Sequence, residues 1–255
     1  MIQNRFRRLA PLAVVMFAIC IAPLTTHASW VVNVGNTIKL TDGPGTLAGE
    51  FKVGTAQPSN GSASNTSTGS YGTERFRTFC VQTNEYFSYG ETLTIQNISM
   101  NSQAGNQALA SNTSALYRTF MNAYEVGATG VTTLIGSATY DFGAGNRATD
   151  ANLLQQAIWK YQGFAAYSAV INKFTIAVEA LNLTTMAANL TGTELATYGG
   201  VKILNLYHAD GSNAQDQLYY GGAPLGGPSD VPEPATLLLF GLGAIGAGFV
   251  RRRRI

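Results

Sequence analysis

Arginines gather at both ends of this chain beside apolar stretches, and that arrangement confines any folded body to the residues between them. Arg5, Arg7 and Arg8 precede an apolar run over 9–24, and Arg251, Arg252, Arg253 and Arg254 follow a second one over 237–250. The first reads as a secretory signal peptide over 1–28, since Thr26 and Ala28 put small residues where a cleavage site before Ser29 needs them. The second reads as a single transmembrane helix. At 1.5 Å per residue the stretch 235–250 spans about 24 Å, slightly short of a hydrocarbon core of about 30 Å. The terminal arginines would keep that end on the cytoplasmic side and leave the body outside.

The charge balance agrees with export. Between 29 and 230 nine basic residues face thirteen acidic ones, so the pI near 8.5 comes from the ends alone. A nucleic-acid partner, which needs a basic stripe on the folded domain, is excluded on this pattern. Charged residues make up 12% of the chain, about half the usual share for a soluble domain. Gly, Asn, Ser and Thr fill the gap, which suits an exposed surface that is polar but uncharged. Two cysteines, Cys20 and Cys80, and two histidines, His27 and His208, provide neither a disulfide framework nor a set of metal ligands. No cofactor is expected.

The tail carries a recognisable pattern. Val231-Pro232-Glu233-Pro234, a Gly-rich apolar segment and the block Arg251 to Arg254 closely resemble, in order and position, the PEP-CTERM sorting signal of Gram-negative bacteria. The resemblance implies an exosortase as partner, cleaving near Pro232 to Pro234 and passing the body to the cell surface or extracellular matrix. Gly241, Gly243 and Gly246 match a dinucleotide fingerprint by letters only, because no βαβ unit surrounds them. Four segments follow: a signal peptide over 1–28, an extracellular domain over 29–220, a Gly/Pro linker over 221–230 and the sorting signal with its helix over 231–255.

Within the body, strand-like runs fall at 30–40, 50–53, 75–83, 91–100, 138–142 and 201–207, and helical patterns at 113–124, 150–162 and 168–181. The stretch 57–72 is almost all Ser, Asn, Thr and Gly and reads as a loop. Strands, then helices, then strands predict an α+β fold, with an antiparallel, barrel-like sheet and a segregated helical block.

Removal of the signal peptide would leave Cys80 without a mate. A lone cysteine in an exported body is a buried, inert thiol, a nucleophile paired with His208, or a sulfur spent on a non-cysteine partner. The helix expected from an Asp150 N-cap bears on this choice. At about 100° per residue, Leu154, Ala157, Ile158 and Tyr161 form one stripe, Gln155 and Trp159 lie on its flank, and Gln156 and Lys160 point away. A carboxamide at the edge of a core needs hydrogen-bond partners or a reaction.

Phe79-Cys80-Val81-Gln82 and Gln155-Gln156-Ala157-Ile158-Trp159 resemble the two signatures of the bacterial thioester domain of surface adhesins. Leu154 departs from the Thr that often precedes the reacting Gln in that family. The resemblance implies a thioester between Cys80 and Gln155, shielded from water by Phe79 and Trp159. Its target would be an amine or hydroxyl on another surface, attached once and without turnover, so no enzyme is expected. A structural matrix protein with an inert Cys80 is the alternative, and a Cys-His enzyme the third.

Overall fold

Alternation of apolar and polar residues builds the sheet. In β1 (Thr37–Thr41) Ile38 and Leu40 are fully buried while their neighbours are half-exposed. Across the sheet Ile38 lies opposite Leu93, Leu40 opposite Val53, and Val53 opposite Phe76, so one inner row is apolar from strand to strand. The computed structural model describes residues 32–46, 49–55 and 74–221. The signal peptide, the loop of 57–72, nearly all of the Gly/Pro linker, the sorting motif and the transmembrane helix read from the sequence lie outside these residues.

The remaining strands are β2 (Gly49–Thr55), β3 (Glu74–Phe79), β4 (Thr92–Ser99), β5 (Val131–Ile135), β6 (Ala138–Asp141), β7 (Val201–Tyr207) and β8 (Asn213–Tyr220). Six of them form one antiparallel sheet in the order β3-β2-β1-β4-β7-β8, and β5 and β6 form a separate hairpin. The two edge strands of the large sheet meet. Cys80, just past β3, makes an antiparallel bridge with Gln217 of β8, Val81 N–H donates to Asp216 O at 3.0 Å, and Thr78 Oγ1 donates to Leu218 O at 2.6 Å. Closure of this kind removes the exposed edges that an open sheet would carry.

Between β4 and β7 the chain makes the helical block: α1 (Ser111–Glu125), α2 (Arg147–Tyr161), α3 (Lys173–Glu179) and α4 (Gly192–Tyr198), together with the β5–β6 hairpin. The α+β arrangement with its helices segregated therefore matches the sequence reading. An aromatic cluster joins the layers, with the Phe120 ring of α1 lying 5.1 Å from Phe79, 5.2 Å from Tyr140 and 5.5 Å from Phe142.

Boundaries differ from the sequence reading for physical reasons. Asp150 does not cap α2, which begins at Arg147. Its carboxylate instead accepts the Asp141 N–H at 2.8 Å and pairs with Lys173, tying α2 to β6 and α3. The helix expected over 168–181 shortens to α3 because Asn172 forms a capping box with Thr175. The sequence reading missed β8, whose residues Asn213-Ala214-Gln215-Asp216-Gln217 show no apolar alternation. It is buried almost throughout because the barrel seam lies on one side and α1 packs nearby.

One buried carboxylate holds four elements. Glu50 of β2 is fully buried and pairs with Arg77 of β3 at 3.1 Å. It also accepts from Arg147 Nε at 3.0 Å, from Arg147 Nη2, and from the Tyr140 hydroxyl. Burial, then the Glu50 charge, pushes the Tyr140 phenol well above its ordinary range, so it remains a donor. Removal of a single buried partner strands the others, so Glu50→Ala is expected to lower unfolding free energy by about 3 to 5 kcal/mol, measured by urea denaturation.

Candidate functional site

Cys80 and Gln155 meet at the barrel seam. Cys80 sits where β3 ends, and Gln155 projects from the third turn of α2 beside the buried residues Ala151, Leu154 and Ile158. The Cys80 N–H donates to Gln155 Oε1 at 2.9 Å, and Gln155 Nε2 donates to Cys80 O at 2.8 Å. The carboxamide thus pairs with the main chain of one residue as a neighbouring strand would. Both residues are completely buried.

This pairing has chemical content. It fixes the Gln155 carbonyl carbon against the residue that carries the sulfur, and it aims a main-chain donor at the carbonyl oxygen, where negative charge would develop under nucleophilic attack. Burial pushes the Cys80 thiol far above its ordinary range, and a hydrogen bond from Gln217 partly offsets that rise. Gln217 Nε2 lies 3.4 Å from Sγ, while Gln217 Oε1 is buried with no hydrogen-bond partner among the described residues. Gln217 therefore offers the sulfur a donor, shared with the Gln215 main-chain carbonyl at 3.3 Å.

The two residues expected to shield the site have distinct surroundings. Phe79 turns its ring toward Phe120 and Tyr117 of α1. Trp159, 4% exposed, donates from Nε1 to Gln82 O at 3.1 Å and lies 4.7 Å from the Tyr167 ring. The Gln82 carbonyl also accepts Gln215 Nε2 at 2.9 Å, so the segment following Cys80 is pinned from α2 and from β8. His208, the partner of a Cys-His arrangement, sits at the β7–β8 turn with its Nδ1 2.8 Å from Glu91. The hydrogen-bond partner of the thiol is Gln217.

Sequence reasoning missed Gln217 and Gly49. A Cβ at position 49 would stand 2.6 Å from a Phe79 ring carbon and 3.0 Å from Gln155 Oε1, so the absence of a side chain there makes room for the carboxamide. Gln215 and Gln217 alternate along β8, the one usable signal, but amides in a polar run look like a solvent-exposed turn.

The PEP-CTERM protein-sorting motif matches residues 230–254. No curated protein and no solved structure matches the chain. The motif marks an exported protein, anchored in the membrane before an exosortase processes it. The match covers the sorting tail alone and lends no support to a thioester domain in the body. Among the described residues no helix is long and apolar enough to cross a membrane, and the helix read at 235–250 lies beyond them.

The close approach at Gly49 gives a direct check. Gly49→Ala should push the carboxamide and the Phe79 ring apart and cost about 1 to 3 kcal/mol in a denaturation series.

Proposed function

We propose that the exported body stores an internal thioester between Cys80 Sγ and the Gln155 side-chain carbonyl, and spends it once to attach itself covalently to an amine or hydroxyl of a surface target. The observation that carries this reading is the two-bond pairing of the Gln155 carboxamide with the main chain of Cys80, fully buried beside a thiol that forms no disulfide. A carboxamide held only for packing would need no sulfur at that position.

In the forming step Sγ bonds to the Gln155 carbonyl carbon and the carbon–nitrogen bond breaks. The thiol proton leaves with the nitrogen as ammonia. The Cys80 N–H supports the developing oxyanion, and Gln217 steadies the sulfur as it loses its proton. Correct placement contributes on the order of 7 to 11 kcal/mol toward such a step. In the spending step the target nitrogen or oxygen bonds to the same carbon, and Sγ departs and recovers a proton. An amide or ester to residue 155 remains. The bond also closes a loop across a separation of 75 residues, worth about 4.5 kcal/mol if the chain-entropy arithmetic of disulfides carries over. Exosortase cleavage near Pro232 to Pro234 would then pass the body from its membrane anchor to the cell surface or matrix.

A structural matrix protein with an inert thiol is the second reading, favoured by the complete burial of Cys80 and its raised proton affinity. Intact mass of the purified protein separates the two. The thioester reading expects a mass lower by one ammonia, absent in Cys80→Ala. Methylamine should add in full at residue 155 as the N-methylamide, and free one thiol. A full-mass protein whose thiol labels after unfolding, in every preparation, would sink the thioester. A second expectation concerns Gln217. Gln217→Leu should slow thioester formation by on the order of tenfold, the worth of about one hydrogen bond, in a time course followed by mass.

A further inference from the structure

Along the β4–β7 pair lies a cleft of about 430 Å³ whose lining side chains are all uncharged. Asn97, Ser99, Asn101, Gln103, Asn106 and Asn205 supply the polar lining, and Met100 the apolar part. The volume falls in the range of small-molecule sites.

These groups are held in place before any ligand arrives. Asn205 is 4% exposed, and its Nδ2 donates to Asn101 O at 3.1 Å and to Asp216 Oδ2 at 3.0 Å while its Oδ1 accepts from Ser99 Oγ at 3.0 Å. Asn101 Nδ2 donates to Asn106 Oδ1 at 2.9 Å. Asn106 holds a φ of 51°, directly after Gly105 at 72°, a left-handed turn that costs free energy for a residue with a side chain.

Gln103 is the telling member. Its Nε2 donates to Leu206 O at 3.1 Å and to Asp216 Oδ1 at 3.0 Å, which fixes the orientation of the amide, because a flip would set oxygen against two acceptors. Its Oε1 is left buried, with no partner among the described residues. An amide that donates to a carboxylate becomes a stronger acceptor at its own oxygen, so the unpartnered atom is primed for a donor. Asp216 sits behind the cleft and takes donors from Gln82, the Gln103 main chain and Asn205 besides.

The chemistry of the occupant follows by exclusion. No charged side chain lines the cleft, which disfavours phosphates, carboxylates and cations. A single Met provides too little apolar surface for an acyl or aromatic ligand. A peptide adding a strand needs an open edge, and β4 and β7 are each paired on both sides. What remains is a ligand rich in hydroxyls that both donate and accept.

We infer that this cleft binds a neutral saccharide, with Gln103 Oε1 accepting from a sugar hydroxyl and the asparagine amides at the rim fixing the ring. The site does not depend on the thioester reading, since the partners that Cys80 and Gln155 bond, each other and Gln217, are not among its lining residues.

The test is isothermal titration of the full chain, in a detergent without a sugar headgroup, with neutral tetrasaccharides of glucose, mannose, galactose and N-acetylglucosamine. At least one should bind, with the affinity lowered about tenfold in Gln103→Leu. Asn97→Ala, at the exposed rim, guards against misfolding of the first variant and should also weaken binding, by a few-fold. Cys80→Ala should bind as the unaltered chain does. Lack of binding by all four at millimolar concentration overturns the inference. Equal affinity in both cleft variants does so too, as does displacement of the sugar by an uncharged peptide or by a sulfated oligosaccharide of the same length.

Discussion

The body is organised around a strand end that finds its partner in a side chain. At Cys80 the edge of β3 offers a main-chain N–H and C=O to the interior, and buried groups of this kind must be paired. The Gln155 carboxamide pairs both. That single contact joins the sheet to α2, fixes the depth at which the helix sits, and brings Trp159 one turn further on to the Gln82 carbonyl. Gly49 on the neighbouring strand is bare because the carboxamide oxygen and the Phe79 ring occupy the space its side chain would need.

The seam and the ionic cluster divide the work of closure. On the helix side Glu50, Arg77, Arg147 and Tyr140 bind β2, β3, α2 and β6 through charge. On the β8 side Asp216 gathers amide donors from Gln82, Gln103 and Asn205, and burial pushes its carboxyl up to about 6 even though those donors favour the charged form. In a chain so poor in charge, the few ionisable groups inside are placed where several elements meet. The surface is left to Asn, Ser and Thr.

The sequence made some of this architecture legible and hid the rest. Period-two alternation exposed β1 and β4, where one face is wet, and period 3.6 exposed α1 and α2, so the fold class and the helix that bears Gln155 could be read directly. The meeting of Cys80 and Gln155 came from two short motifs rather than from any pattern of hydrophobicity. β8 was lost because it is buried on both faces by polar residues, a state that only the finished barrel can satisfy. Asp150 looked like a cap because carboxylates favour helix starts, yet the Asp141 main chain and Lys173 claim it from outside the helix. Gln217 was invisible for the same reason as its strand.

Barrel closure also decides how the molecule meets a load. The covalent path from body to tail leaves through Tyr220, the last residue of the strand that carries Gln217 and bridges Cys80. Any tension drawn through that tether reaches the seam before it reaches the helices. A hold made through residue 155 would place the grip and the leash on opposite banks of the same joint, so that traction between them runs across a few ångströms of buried main chain rather than through the length of the fold.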